Sequence, residues 1–189
     1  MKKKILGIDL DNTVFDCTPM YRSAFRGSPY VYYHPTTWDV YECYPESIAD
    51  TMIKLFKSPC LYTMELLDAR IPYILNKISK VHNCYITTAR SSSLGGKNAE
   101  LMTQEQLERN GIYYPKEKIV VTPHSKIGIF KEKNIDLVFD DSPSVIEDCL
   151  NNNIDCVMIS RNETPYNHYL RTKVEWATNL VDAIRLKQL

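Results

Sequence analysis

Two acids, Asp9 and Asp11, follow the apolar run Ile5-Leu6-Gly7-Ile8, and two more, Asp140 and Asp141, follow Leu137-Val138-Phe139. Carboxylates this close repel one another, and they stay together as charges only with a cation or a proton between them. Oxygen donors of this kind suit a hard divalent cation such as Mg2+, which cancels the repulsion between a phosphate monoester and an attacking carboxylate. The bland alternative for the first pair is a polar turn after a strand, with Asn12 as the turn former. Lys126 is read in the first turn of a helix capped by Ser125. The helix dipole disfavours a cation there, so an anion opposite would explain it; a solvated surface lysine is the ordinary alternative. Thr88 ends a β-prone run, followed by Ala89, Arg90 and the polar stretch Ser91 to Lys97. A hydroxyl at a strand end and exposed backbone amides can donate to phosphate oxygens, although a plain strand-to-helix connection has the same composition.

These residues need elements to hold them. Strands are expected around residues 4–8, 84–88, 119–121, 135–139, 156–159 and 174–177. Helices are expected at 47–56, capped by Ser47, at 64–80 with Pro72 as a kink or boundary, and at 99–110 with Gly111 as the stop. Further helices are expected at 125–133, at 143–150 after Ser142, and from Asn179 to the end; 161–173 reads as a polar loop. Strands alternating with helices imply an α/β fold with a doubly wound, mainly parallel sheet. The strand C-termini then share one edge, which would bring Asp9, Asp11, Thr88, Asp140 and Asp141 together.

Residues 17–58 break the alternation with many aromatics, among them Tyr21, Phe25, Tyr30, Tyr33, Trp38, Tyr41 and Tyr44. This stretch is expected to be a small, mostly helical cap inserted into a core made of residues 1–16 and 59–189. Its aromatics either form the cap's own miniature core or stack on a flat substrate group such as a nucleobase.

The 189 residues fit one ordinary domain with a small insertion, and 44% apolar residues can fill a core. A formal net charge of zero argues against strong, sequence-independent nucleic-acid binding. No apolar run approaches a membrane span, and the start is too short in apolar residues for a signal-peptide core. The six cysteines contain no Cys-x-x-Cys pair, so free thiols in a reducing cytosol are expected rather than a zinc site. Cys17 has no visible activating base, and His124 has no visible partner.

Asp9-Leu10-Asp11-Asn12-Thr13, Thr88, Lys126 and Asp140-Asp141 resemble, in order and in local context, the four motifs of the haloacid dehalogenase-like phosphohydrolases. The likeness covers residues 1–16 and 60–160, and the insertion resembles that family's C1-type cap. Cap size and the surroundings of His124 to Pro143 are similar to the 5'(3')-deoxyribonucleotidase branch. The resemblance implies that Asp9 attacks phosphorus and that Asp11 protonates the leaving oxygen and then activates water. It implies that Thr88, Ala89 and Lys126 hold the phosphate, and that Asp9, the Asp11 carbonyl and Asp141 hold Mg2+, with Asp140 as a second ligand or an outer partner. Many members carry a further acid four residues after the first in the fourth motif; Ser144 and Val145 stand in that region here. The implied activity is a Mg2+-dependent phosphomonoesterase for nucleoside 5'-monophosphates. A sugar phosphatase or a non-catalytic phosphate-binding module is the alternative. The expected partner is a small phosphorylated substrate, with no membrane and a homodimer as the candidate assembly.

Overall fold

The computed structural model describes residues 3–32, 34–90, 99–122 and 125–189; the expectations for Tyr33, the 91–97 stretch and His124 fall outside them. Among the described residues the strands are β1 (Ile5–Ile8), β2 (Asn83–Thr88), β3 (Ile119–Val121), β4 (Leu137–Asp140), β5 (Asp155–Ile159) and β6 (Trp176–Ala177). They form one parallel sheet in the order β3-β2-β1-β4-β5-β6. The chain runs outward from β1 in one direction, returns, and continues from β4 in the other, so the order reverses between β1 and β4. In doubly wound sheets the crevice beyond the strand ends at that reversal is where ligands bind.

Strand side chains alternate between two cores, as the period of two requires. Leu6, Ile8, Leu137, Phe139, Val157 and Ile159 face one core, with α4 (Ile71–Ile78), α5 (Ala99–Arg109) and α8 (Leu180–Leu186). Val138, Cys156 and Met158 face the other, with α6 (Ile127–Glu132) and α7 (Pro143–Asn151). A Cβ on Gly7 would lie 3.3 Å from the Ile135 side chain and 3.5 Å from Phe130, so a larger residue at this strand position would have to push Ile135 aside by a few tenths of an ångström.

Several boundaries differ from the sequence expectation. The helix expected at 64–80 begins only at Ile71, with Pro72 in its first turn, where a missing N–H costs nothing. Leu66 instead pairs with Phe15 in an antiparallel bridge: Asp16 N–H donates to the Glu65 carbonyl and Leu67 N–H to the Val14 carbonyl, each at 2.9 Å. This pairing makes a stem through which the inserted segment leaves and returns. Within that segment lie α1 (Thr18–Ala24), α2 (Val40–Cys43) and α3 (Glu46–Phe56). The cap residue of α3 is Pro45, not Ser47, which sits inside the first turn. The loop expected at 161–173 contains a 3-10 turn at Pro165–Leu170.

Candidate active site

The acids converge at the reversal point. Asp9 follows β1, and its N–H donates to the Phe139 carbonyl of β4 at 2.9 Å. Asp140 closes β4 and Asp141 follows it. Lys126 takes the N-cap position of α6, one residue earlier than expected, while the Ser125 hydroxyl accepts from Ile127 N–H and donates to Asp148. The Lys126 Nζ lies 2.6 Å from Asp9 Oδ1 and 2.7 Å from Asp140 Oδ2, so the anion that explains a lysine at this helix end is a pair of carboxylates. The other oxygen of Asp140 accepts from Ser142 N–H at 2.9 Å. One carboxylate oxygen each from Asp9, Asp140 and Asp141 lies within 4.8 Å of the others, and all three residues are buried.

One ammonium does not balance three buried carboxylates. Burial pushes the Asp9 carboxyl well above its ordinary range; Lys126 pulls it back in part, and Asp140 and Asp141 add to the rise. Burial, reinforced by the Asp140 charge, raises Asp141 to about 7 against the hydrogen bond from Tyr166. Burial alone would lower Lys126, but the charges of Asp140 and Asp9 outweigh it and hold the ammonium. The site therefore carries excess negative charge on hard oxygen donors, the chemistry that fits a divalent cation.

A pH dependence follows. Without a divalent cation, Asp141 binds a proton in the folded state up to about pH 7 and in the unfolded chain only to about 3.8. The resulting stabilisation is complete below the unfolded value and is lost as pH rises through the folded one. Because neighbouring acids share the proton, we expect metal-free protein to lose about 2 kcal/mol between about pH 5 and pH 8, roughly 4–8 °C in Tm. Thermal melts of wild type and Asp141→Asn check this; the variant and Mg2+-saturated wild type should show a smaller drop.

Asp11 is held differently. Its oxygens accept from Arg90 NH2 at 2.7 Å and Arg90 Nε at 3.1 Å, so its partner is this guanidinium rather than Lys126. Arg90 is only 3% exposed. It also donates to Gln106 Oε1 at 2.7 Å and lies over the Tyr62 ring at 4.9 Å. Sequence reasoning gave Arg90 no role. Its one signal was its place two residues beyond Thr88, just past a strand end.

Asn12 sits at φ +58°, a backbone region that asparagine tolerates, and its amide reaches the hydroxyls of Tyr21 and Tyr166, each at 3.2 Å. Tyr166, from the 3-10 turn, donates to Asp141 Oδ2. The Thr88 hydroxyl is buried with no hydrogen-bond partner among the described residues, and Ala89 and Arg90, which follow it, line the cavity. The Cys17 sulfur lies 3.9 Å from Asp11 Oδ1, and burial pushes its thiol well up, so it is not an activated nucleophile.

The acids open into a cavity of about 670 Å³ whose opposite wall comes from the inserted segment. The aromatics divide between two places. Phe25 and Tyr44 pack at 4.8 Å in a small core with Met52. Tyr21, Trp38, Tyr41 and Phe56 line the cavity, and Trp38 is 53% exposed.

No family model and no curated protein matches this sequence. Solved structures do match the fold. A haloacid dehalogenase-like family hydrolase from Streptococcus pneumoniae superposes with a TM-score of 0.65 at 15% identity, covering 98% of this chain and 99% of that one. The fold is haloacid dehalogenase-like. A predicted phosphatase from Clostridium acetobutylicum gives 0.61 at 15% identity, covering 99% and 98%. A putative beta-phosphoglucomutase from Thermotoga maritima gives 0.55 at 14%, covering 98% of each. The parallel strands bring Asp9, Thr88, Asp140 and Asp141 to one sheet edge, as the strand pattern implied, and Lys126 reaches Asp9 and Asp140 from the start of α6.

Proposed function

We propose that this chain is a divalent-cation-dependent phosphomonoester hydrolase that works through an aspartyl phosphate on Asp9. The observation that carries the reading is Lys126 clamped between Asp9 and Asp140, with Asp141 alongside, at the floor of the cavity. Lys126 fixes Asp9 Oδ1, which leaves Oδ2 as the attacking oxygen. Asp11, oriented by Arg90, gives a proton to the leaving oxygen and then takes one from water. The orphan hydroxyl of Thr88 and the amide of Ala89 hold phosphate oxygens. Asp140, which meets both Lys126 and Ser142 N–H, sets the lysine, and Asp9, Asp141 and the Asp11 carbonyl would hold the cation. Mg2+ bound there supplies the charge that neutralises the phosphoryl group.

Residues 17–58 serve as the cap, and their aromatic wall favours nucleoside 5'-monophosphates. Of the lysines and arginines among the described residues that line the cavity, Lys126 and Arg90 are tied to acids, and Lys57 is left for a second anionic group. That argues for one phosphate on a flat, uncharged body. The fold likeness to a putative beta-phosphoglucomutase favours a second reading, a sugar phosphate. The six free cysteines suit the cytosol, and no described helix is long and apolar enough to cross a membrane.

Phosphate release from a panel of nucleoside monophosphates and sugar phosphates, with Mg2+ or with EDTA, tests this. Release from nucleotides that EDTA abolishes is expected. A preference for sugar phosphates selects the second reading. Turnover indifferent to EDTA rejects the cation, and phosphate binding without turnover of any ester rejects hydrolysis.

A further inference from the structure

We propose that Tyr166 is a positioning residue: it aims the Asp141 carboxylate at the divalent cation and ties that acid to the aromatic wall of the cavity. This rests on the reading of Asp141 as a cation ligand.

Asp141 is gripped twice by adjacent residues of one 3-10 turn. Tyr166 donates its hydroxyl to the carboxylate Oδ2. Asn167 donates to the Asp141 main-chain carbonyl at 2.8 Å and to the Ile159 carbonyl at 2.9 Å, and its own Oδ1 accepts from Ser160 at 2.7 Å. The turn is thereby locked to the end of β5 and to the residue it orients. The direction of the chain of bonds is also set. An ionised carboxylate only accepts, so the Tyr166 proton goes to Asp141, and the phenol oxygen accepts from Asn12 at 3.2 Å. With Oδ2 taken, Oδ1 is the oxygen that Asp141 presents to the cation. The Tyr166 ring is 3% exposed, and the Trp38 ring meets it at 5.2 Å and 68°. One side chain thus touches both the acid and the inserted segment. A phenylalanine would keep the ring contacts and lose the two hydroxyl bonds, to Asp141 and from Asn12.

Partners that orient a ligating carboxylate typically contribute ~10–100-fold to metal affinity. The test is Mn2+ binding to the full chain, followed by the EPR signal of the free ion, for wild type, Tyr166→Phe and Tyr169→Phe. Tyr169 lies on the same turn, but its hydroxyl faces Glu147 at the exposed side. Tyr166→Phe should weaken Mn2+ binding ~10–100-fold with Tm preserved, and phosphate release should return toward the wild-type kcat at high Mg2+. Tyr169→Phe should bind as wild type does. Wild-type affinity in Tyr166→Phe would overturn the positioning role while leaving the hydrolase reading intact. A wild-type chain that binds no Mn2+ would overturn the reading beneath it. Should Tyr166→Phe not fold, Asn12→Gly keeps the left-handed backbone and removes the side chain that bonds both the phenol and Asp141; it should weaken binding several-fold, and unchanged affinity overturns the proposal.

Discussion

Asp9→Asn should reduce phosphate release by at least ~10³-fold, because an amide cannot attack phosphorus and no other described group stands in its place. The same change should leave stability unchanged or raise it. Asp9 is buried among like charges, and its carboxyl is pushed well above the ordinary range. Asparagine has the same shape, removes one of three crowded negative charges, and leaves Lys126 paired with Asp140 at 2.7 Å. Opposite signs for activity and stability are the signature of a group kept for chemistry at a cost to the fold. Phosphate release and metal-free thermal melts on one preparation check both. Retained turnover would exclude Asp9 as the nucleophile, and a large fall in Tm would mean that its charge is structural.

The residues involved show why only part of this site was legible in the chain. Asp9, Asp140 and Asp141 announce themselves locally, since each follows a short apolar run and parallel strands must end at a common edge. Lys126 was legible as an anomaly, a cation where the helix dipole opposes one. The pairing of Arg90 with Asp11 spans 79 positions, and nothing near Arg90 separates a buried guanidinium from a surface one. Tyr166 reaches Asn12 across 154 positions from a segment that reads as a polar loop. A six-residue 3-10 turn has too little length for a periodic pattern, and Pro165 at its start was the one local trace. Ser47 failed as a cap for a related reason: capping was read from residue type, whereas Pro45 already sets the entry into α3.

Lys126→Met should be the most damaging substitution in the core of the site. The lysine ammonium is fully enclosed and makes two short contacts, 2.6 Å to Asp9 and 2.7 Å to Asp140. Methionine matches its length and fills its space, so no cavity opens, and what disappears is the charge. Three buried carboxylates then face one another with no internal cation. Breaking a buried ion pair by removing one partner costs about 3–5 kcal/mol, a large part of the 5–15 kcal/mol that holds a typical domain together. The loss should depend on pH in a definite direction. Protonated carboxyls need no counter-charge, so the gap to wild type should narrow as pH falls toward the ordinary carboxylate range and widen above neutrality, where Asp141 at about 7 is also ionised. Mg2+ should recover part of the stability, since it supplies positive charge to the same acids, but it should not recover turnover, because the ammonium that fixes Asp9 Oδ1 is gone. Tm measured across pH with and without Mg2+ separates this from a packing defect. A packing defect would give a loss of equal size at every pH, unmoved by the cation.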